Sequence, residues 1–466
     1  MYLPNLPWTL KQRSMIATSS PLDKSHFTLD TSGVSGFFGG DEAISAMATV
    51  HIYRGRRWLG WYNTPGAYQI ARQYGLVPKS VFFKGFFPGV RTDPAKLFEF
   101  DGRQGPRFQA VSSGTIMDST GHLASVLMKQ CTSTNGVPIR KRNGQVYGVT
   151  IVKLKTVPRE VVRPERITTY SPFFAIIPIA VSFAACIASG VYKDWFSFSL
   201  ILWGILSNGI SCLIIGSGTL RFTHHVPARG SPPGDGILGS GTEFVLLQGD
   251  EGAVNSITSG KVSLDFPTEF HHEYIGICSI LLTIQFIAQL FLIPQGSLFG
   301  QIMFISSLGV SWVYNSCLSA FDKEKIQQRI LLDEILEKPS LEKYILYTRT
   351  AAVVFALCVL SPQDPSKILE AYLPNDTKVW RKWKETVLQR LRRKEELHFE
   401  KEDWNLSGYT EDERDLLHSL YNNAQAAYDD FTSVVSLRTT PVSVRAKTQM
   451  LITKYFLTGI SGSSVP

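Results

Sequence analysis

The sequence is short of three things: charge over long stretches, paired cysteines, and an apolar leader. Each absence excludes something. Six cysteines in 466 residues make no disulfide framework. Cys186, Cys212, Cys278 and Cys317 fall inside apolar runs, where cysteine acts as a small hydrophobe, and Cys131 and Cys358 have no CxxC partner. A reduced, cytosol-facing protein is expected. The opening "MYLPNLPWTLKQRSMIATSS" lacks the apolar core of a secretory signal, so residues 1–24 are expected to be a disordered tail. No GxxxxGK[ST], GxSxG or HExxH motif is present.

Charge is missing from Ile167 to Tyr192, from Trp195 to Leu220 and from Tyr274 to Phe321. The last run would make a helix about 72 Å long, far beyond a hydrocarbon core of about 30 Å, so Pro294 and Gly296 must turn it. Four transmembrane helices are expected, at 171–191, 195–216, 274–293 and 298–320, paired as two hairpins. The formal net charge of +8 gathers at the edges of these runs. Lys153, Lys155, Arg159, Arg163 and Arg166 precede the first span; Arg221, Arg229 and Lys261 separate the hairpins; Lys323, Lys325 and Arg329 follow the fourth. The opposite side has only Lys193. The positive-inside rule then puts both termini in the cytosol, in the plasma membrane or endoplasmic reticulum, and makes Lys193-Asp194 a hairpin tip. The pattern suits an anionic membrane surface and not a nucleic acid.

Small and polar residues recur one turn apart in these spans: Ala180, Ala184 and Ala188; Gly204 and Asn208; Gln285 and Gln289; Ser307, Ser311, Asn315 and Ser319. Helix packing in lipid uses such stripes, and an aqueous pathway would too. No span contains Asp, Glu, Lys, Arg or His, which argues against ion-coupled transport.

The fold class is therefore an α-helical multi-pass membrane protein with cytosolic additions. Residues 25–165 are expected to form an α+β domain, with "AMATVHIYRGRRWLGW" and "GQVYGVTIVKLKTV" as strands and "TPGAYQIARQYG" as a helix. The 217–272 loop is expected to hold a small β module, with "TEFVLLQ" and "KVSLDF" as strands; "GDGILG" before them reads as a tether, not a dinucleotide loop. Residues 321–456 are expected to be mostly helical, and 457–466 a disordered tail. Residues 351–360 are too short to span, although a fifth span is the alternative.

Two sets of side chains are candidate sites. The basic amphipathic helix 376–397 carries Lys378, Arg381, Lys382, Lys384, Arg390, Arg392 and Arg393 around a stripe with Trp380 and Trp383. It suits docking on anionic lipid or a cytosolic protein, or equally a surface helix packed by its tryptophans, with acids after Thr410 as neutralising partners. His224 and His225 follow the second span; His271, His272 and Glu273 open the third. These could hold a divalent metal, but adjacent histidines point to different sides of a helix, so no cofactor is expected.

The blocks "GSGTEFVLLQGDEGAVNSITSGKVSLDF", "IPQGSLFGQIMFISSLGVSWVYNSCLS", "FDKEKIQQRIL" and "LPNDTKVWRKWK" resemble a set of uncharacterised multi-pass membrane proteins of mushroom-forming (basidiomycete) fungi. The resemblance covers about residues 170 to 390. It implies a fungal membrane location and carries over no activity or catalytic residue. A non-enzymatic scaffold or adaptor with partner- or lipid-binding domains is the expected function, possible as a homo-oligomer. A passive channel or transporter and a membrane metalloenzyme are the alternatives.

Overall fold

The computed structural model describes residues 22, 40–78, 80–89, 93–97, 99–138, 145–162, 170–320 and 323–439. Both expected tails, except Leu22, lie outside these residues. Helices of eight or more residues are α1 (Gly40–Ala48), α2 (Ala67–Tyr74), α3 (His122–Ser133), α4 (Ile176–Val191), α5 (Trp195–Ile215), α6 (Glu251–Thr258), α7 (Glu269–Leu292), α8 (Leu298–Ser319), α9 (Arg349–Leu360), α10 (Lys378–Arg393) and α11 (Glu411–Thr439). The strands are β1 (Arg107–Ala110), β2 (Ile116–Met117), β3 (Val137–Pro138), β4 (Tyr147–Lys153), β5 (Glu160–Val162), β6 (Thr219–Thr223), β7 (Gly236–Ser240), β8 (Glu243–Gln248), β9 (Lys261–Asp265) and β10 (Ser340–Leu346).

Four helical stretches are long and apolar enough to cross a membrane: Pro172–Val191, Trp195–Ile215, His271–Gln295 and Leu298–Ser319. Their bounds lie within three residues of the expected ones. The chain forms two compact units, and the first gathers residues up to Phe100, Val162–Arg221 and Val262–Lys323. The second gathers Asp101–Val161, Phe222–Lys261 and Glu324 onward.

This division corrects the expected 25–165 domain. Its described residues up to Phe100 join the long helices, and the stretch read as a strand is helical, α1 continuing into a 3-10 turn at Thr49–His51. The reason is visible in the spacing: Ala43, Ala46, Met47 and Val50 are all buried, one helical face. In the first unit α4 packs on α5 and α8, α5 on α7, α1 on α8, and α2 on α7.

The second unit centres on a seven-stranded sheet of order β2-β1-β7-β8-β4-β10-β3. The β4–β8 pair is parallel and β4–β10 antiparallel. Six consecutive residues of β4, Tyr147–Val152, are buried, the mark of a strand covered on both faces. One face packs under α9, α10 and α11, with Val149, Ile151, Phe244 and Leu246 meeting Val354, Phe355, Trp383 and Tyr421 in one core. Two expectations change here. The 217–272 segment is no free module, since β8 lies inside the sheet between β7 and β4; "GDGILG" runs into β7 and is no tether. The C-terminal region adds β10, which its charged "SLEKYIL" hid. The apolar 349–360 helix is buried in this core, nine consecutive residues from Thr350 to Cys358 among them. β5, β6 and β9 form a separate sheet.

A candidate site in the polar interior of the helix bundle

Beyond the His271–Glu273 opening of α7, no acid or base lies along the long apolar helices, yet the bundle has a polar interior. It is completed by residues 56–64, "RRWLGWYNT", which sequence reasoning assigned elsewhere. Asn63 is fully buried. Its backbone N–H donates to Ser182 Oγ of α4 at 3.1 Å, its Nδ2 to Ser307 Oγ of α8 at 2.9 Å, and its Oδ1 accepts from Gln289 Nε2 of α7 at 3.3 Å. Asn63 thus joins three long helices, its backbone meeting α4 and its side chain α7 and α8. The fourth, α5, holds the segment's backbone: Asn208 Nδ2 donates to the carbonyls of Gly60 (2.6 Å) and Tyr62 (3.2 Å). Irregular backbone is stable among apolar helices only where the protein itself satisfies it, as here.

The segment lies close against α5 because α5 is cut away to receive it. A Cβ on Gly204 would collide with Asn63 Oδ1, and one on Gly209 with the Trp61 ring. Behind Gly204, Ser207 donates to Gln285 Oε1 of α7.

Nearer the Pro172 end of the bundle, a relay of polar groups leads inward from Arg56. Arg56 is 1% exposed and its guanidinium donates to Tyr62 OH at 2.8 Å and to Leu59 O at 3.1 Å. Tyr62 OH in turn donates to Asn315 Oδ1 at 2.9 Å, and Asn315 Nδ2 to Thr64 Oγ1 at 3.2 Å. The rings of Tyr62 and Tyr314 flank the cation at 5.8 and 5.5 Å. Among the described residues no carboxylate faces it. Two aromatic faces, a phenol and a carbonyl carry the solvation that water would supply.

The expected stripes are thereby sorted. Gly204, Asn208, Gln285, Gln289, Ser307, Ser311 and Asn315 are buried. The alanine stripe is not: Ala180 and Ala184 are exposed, and α4 buries Pro178, Ser182, Ala185, Cys186 and Ser189 instead. Of the two buried serines, Ser182 accepts from the segment at Asn63 N, while Ser189 Oγ donates to Ala185 O within its own helix.

At the other end of the bundle Asp194 answers the charge at the hairpin tip. It caps α5 through Ser197 N (3.1 Å) and Ser197 Oγ (3.1 Å), and accepts from Ser297 N (2.8 Å) and Ser297 Oγ (2.7 Å) at the start of α8. One buried carboxylate stands at two helix N-termini, where the helix dipoles favour negative charge. It ties the two hairpin tips together.

The histidine pairs divide between the units, His224 and His225 in the sheet unit, His271 and His272 with the long helices. Both ring nitrogens of His224 face carbonyls: Nδ1 that of His225 at 3.0 Å, Nε2 those of Pro158 at 2.9 Å and Val157 at 3.1 Å. His271 Nδ1 lies 2.6 Å from Thr268 Oγ1, and His272 meets the Phe266 ring edge-on at 5.2 Å. His225 is exposed and Glu273 half-buried. Among the described residues no group of three His, Cys, Asp or Glu stands close enough to hold a metal ion.

The basic helix forms as expected, as α10, with Thr377 Oγ1 accepting from Trp380 N. Its stripe packs inward: Val379, Trp383 and Val387 are buried and Trp380 half-buried. Several of its cations have local acids, though not those after Thr410. Arg381 pairs with Asp376 at 2.7 Å, Arg390 with Asp403 at 2.9 Å, Arg392 with Asp364 at 3.1 Å and Arg393 with Glu395 at 3.7 Å. Lys378 Nζ sits over the Tyr409 ring at 4.1 Å, and Lys384 Nζ donates to Asn375 O. Lys382 is half-buried. Between α10 and Ser366–Tyr372 lies an open groove of about 980 Å³, with Arg381, Lys384, Arg392 and Arg393 facing Glu370, Asp376 and Glu385. Its mixed charge favours neither sign of ligand. Compared with protein-family models, with curated proteins and with solved structures, the chain matches none of them.

Proposed function

We propose that the chain is an integral membrane protein with four spans, non-enzymatic, which anchors its sheet unit and basic helix on the cytosolic side for partner or lipid binding. The observation that carries this reading is the filled interior. Gly60–Thr64 occupy the space that Asn208, Gln289, Ser307 and Asn315 would otherwise line, and each of these side chains has its hydrogen bond there. A bundle sealed by its own chain serves as an anchor. The uncharged spans and the lone Lys193 at the first hairpin tip support both termini in the cytosol. The resemblance to basidiomycete membrane proteins fits the same reading.

A conduit is the second reading, favoured by the polar character of the same residues once the segment leaves. Flux separates the two. The full chain reconstituted in liposomes is expected to pass a small-solute panel no faster than protein-free liposomes. Saturable or protein-dependent flux would overturn the scaffold in favour of a channel.

A further inference from the structure

The short helix Val81–Phe86, "VFFKGF", presents an apolar surface that no described residue of its own unit covers. Val81 is 81% exposed, Phe82 61% and Phe86 59%, an unusual concentration for six residues of a folded chain. The helix is nonetheless firmly seated. Ser80 caps it by accepting from Phe82 N, and Phe83 is buried. The Phe83 ring lies flat on Gly276 of α7, where a Cβ would come within 2.7 Å of three ring atoms. Phe87, the next residue, is buried with its ring on Gly75. Buried Phe83 and Phe87 therefore hold the helix, and the aromatic face they leave outward is fixed in place: Phe82 stacks edge-on to Phe83 at 5.3 Å and tilts on Phe86 at 5.2 Å.

The seat says what covers this face. Gly276 lies near the His271 end of the third long apolar helix, within the stretch apolar enough to cross a membrane. Its neighbours Tyr274 and Ile277 are 48% and 56% exposed on that helix, so the aromatic face of 81–86 continues the outward apolar surface of the bundle. The only formal charge on the short helix is exposed Lys84, a residue type whose long stem can cover apolar surface while its ammonium stays in a polar layer.

We propose that Val81–Phe86 is an interfacial anchor, a monotopic helix whose Val81, Phe82 and Phe86 enter the boundary between acyl chains and headgroups of the leaflet at the His271 end, with Lys84 toward lipid phosphate. It rests on the membrane-spanning reading above. The anchor also fixes the depth of the inserted segment: α2, which leads from Asn63 toward it, runs along α7 with Tyr68 stacked on Phe286 at 5.4 Å.

The test places p-benzoylphenylalanine at Phe82, at Phe86, at Ile284 on the exposed face of the third span, and at Leu416 in the sheet unit, each in the full chain in phosphatidylcholine–phosphatidylserine vesicles. After irradiation, mass spectrometry identifies the adducts. Lipid adducts at 82 and 86 at a level comparable with 284, and at least tenfold above 416, are expected. Adducts at 284 without any at 82 and 86 would overturn the anchor and leave the spanning helices standing. Protein adducts at 82 or 86, to a partner or to this chain's own residues 1–39, would overturn it too. Lipid adducts at 416 equal to those at 82 would remove the specificity the proposal claims, and no lipid adduct at 284 would end the spanning reading and the anchor with it.

Discussion

Single side chains hold this bundle at its two levels. Asp194 accepts four hydrogen bonds from the starts of two helices, so truncation orphans two backbone donors and two hydroxyls at once. Asp194→Ala is expected to cost about 2–4 kcal/mol, as for a cap and its unsatisfied partners combined. Asp194→Asn keeps the acceptor and is expected to cost about 1 kcal/mol, since asparagine caps almost as well. Thermal unfolding of the detergent-solubilised full chain measures both; equal Tm losses for the two variants would show that the cap is not what holds the tips. In the sheet unit, burial pushes the thiols of Cys131 and Cys358 up to about 12. A raised thiol pKa suppresses thiolate below that pH, so neither cysteine is expected to react with iodoacetamide at about pH 8.5 until the chain is unfolded. Peptide mapping of the alkylated native protein checks this, and fast labelling of either would contradict the packing. Asp194 was legible in the sequence only as a tip, because a capping bond to a residue more than a hundred positions away leaves no local signature.

At the scale of elements, the long helices were readable because length and absence of charge suffice to define them. The inserted segment was not. The chain before it alternates like a strand from Val50 to Tyr53, the segment itself has no period, and polar groups such as Asn63 read as loop surface. Their partners were visible as stripes on the helices, but a stripe does not say whether it faces a helix, water or a stretch of the same chain. The alanine stripe of α4 misled for a related reason: alanine is tolerated on an outward face, while Ser182 and Ser189 were the residues with hydrogen bonds to make. The stripe of α10 was read correctly, with Trp383 and Val387 in the core of the sheet unit, whereas the glutamate and lysine of β10 masked a strand. The groove for the segment gives the element-scale expectation. Gly204→Leu puts a side chain where Asn63 lies, and should displace 60–64 with a loss of about 3 kcal/mol or more, beyond ordinary overpacking, because several polar groups lose partners together. Ile210→Leu, on the exposed face of the same helix, should change stability by less than about 0.5 kcal/mol. Similar losses for the two would mean that α5 receives nothing at Gly204.

For the molecule as a whole, the bundle takes its polar centre from an earlier stretch of its own chain, Gly60–Thr64. The expected α+β domain fell apart along that line: one part completes the bundle, and the other joins strands from two later segments in a sheet that no single stretch of sequence announces. The strands β4, β8 and β9 were each recognisable, but an order of β7-β8-β4-β10 depends on pairings between distant segments, which periodicity cannot supply. The most direct test is a double-mutant cycle on Asn63 and Ser307, using Asn63→Ala, Ser307→Ala and the double variant of the full chain in detergent, with unfolding free energies from denaturant titration. Side chains bonded at 2.9 Å in a buried site should show a coupling of about 0.5–3 kcal/mol. Additivity within about 0.3 kcal/mol, with all three variants folded, would contradict the filled interior and the sealed anchor built on it.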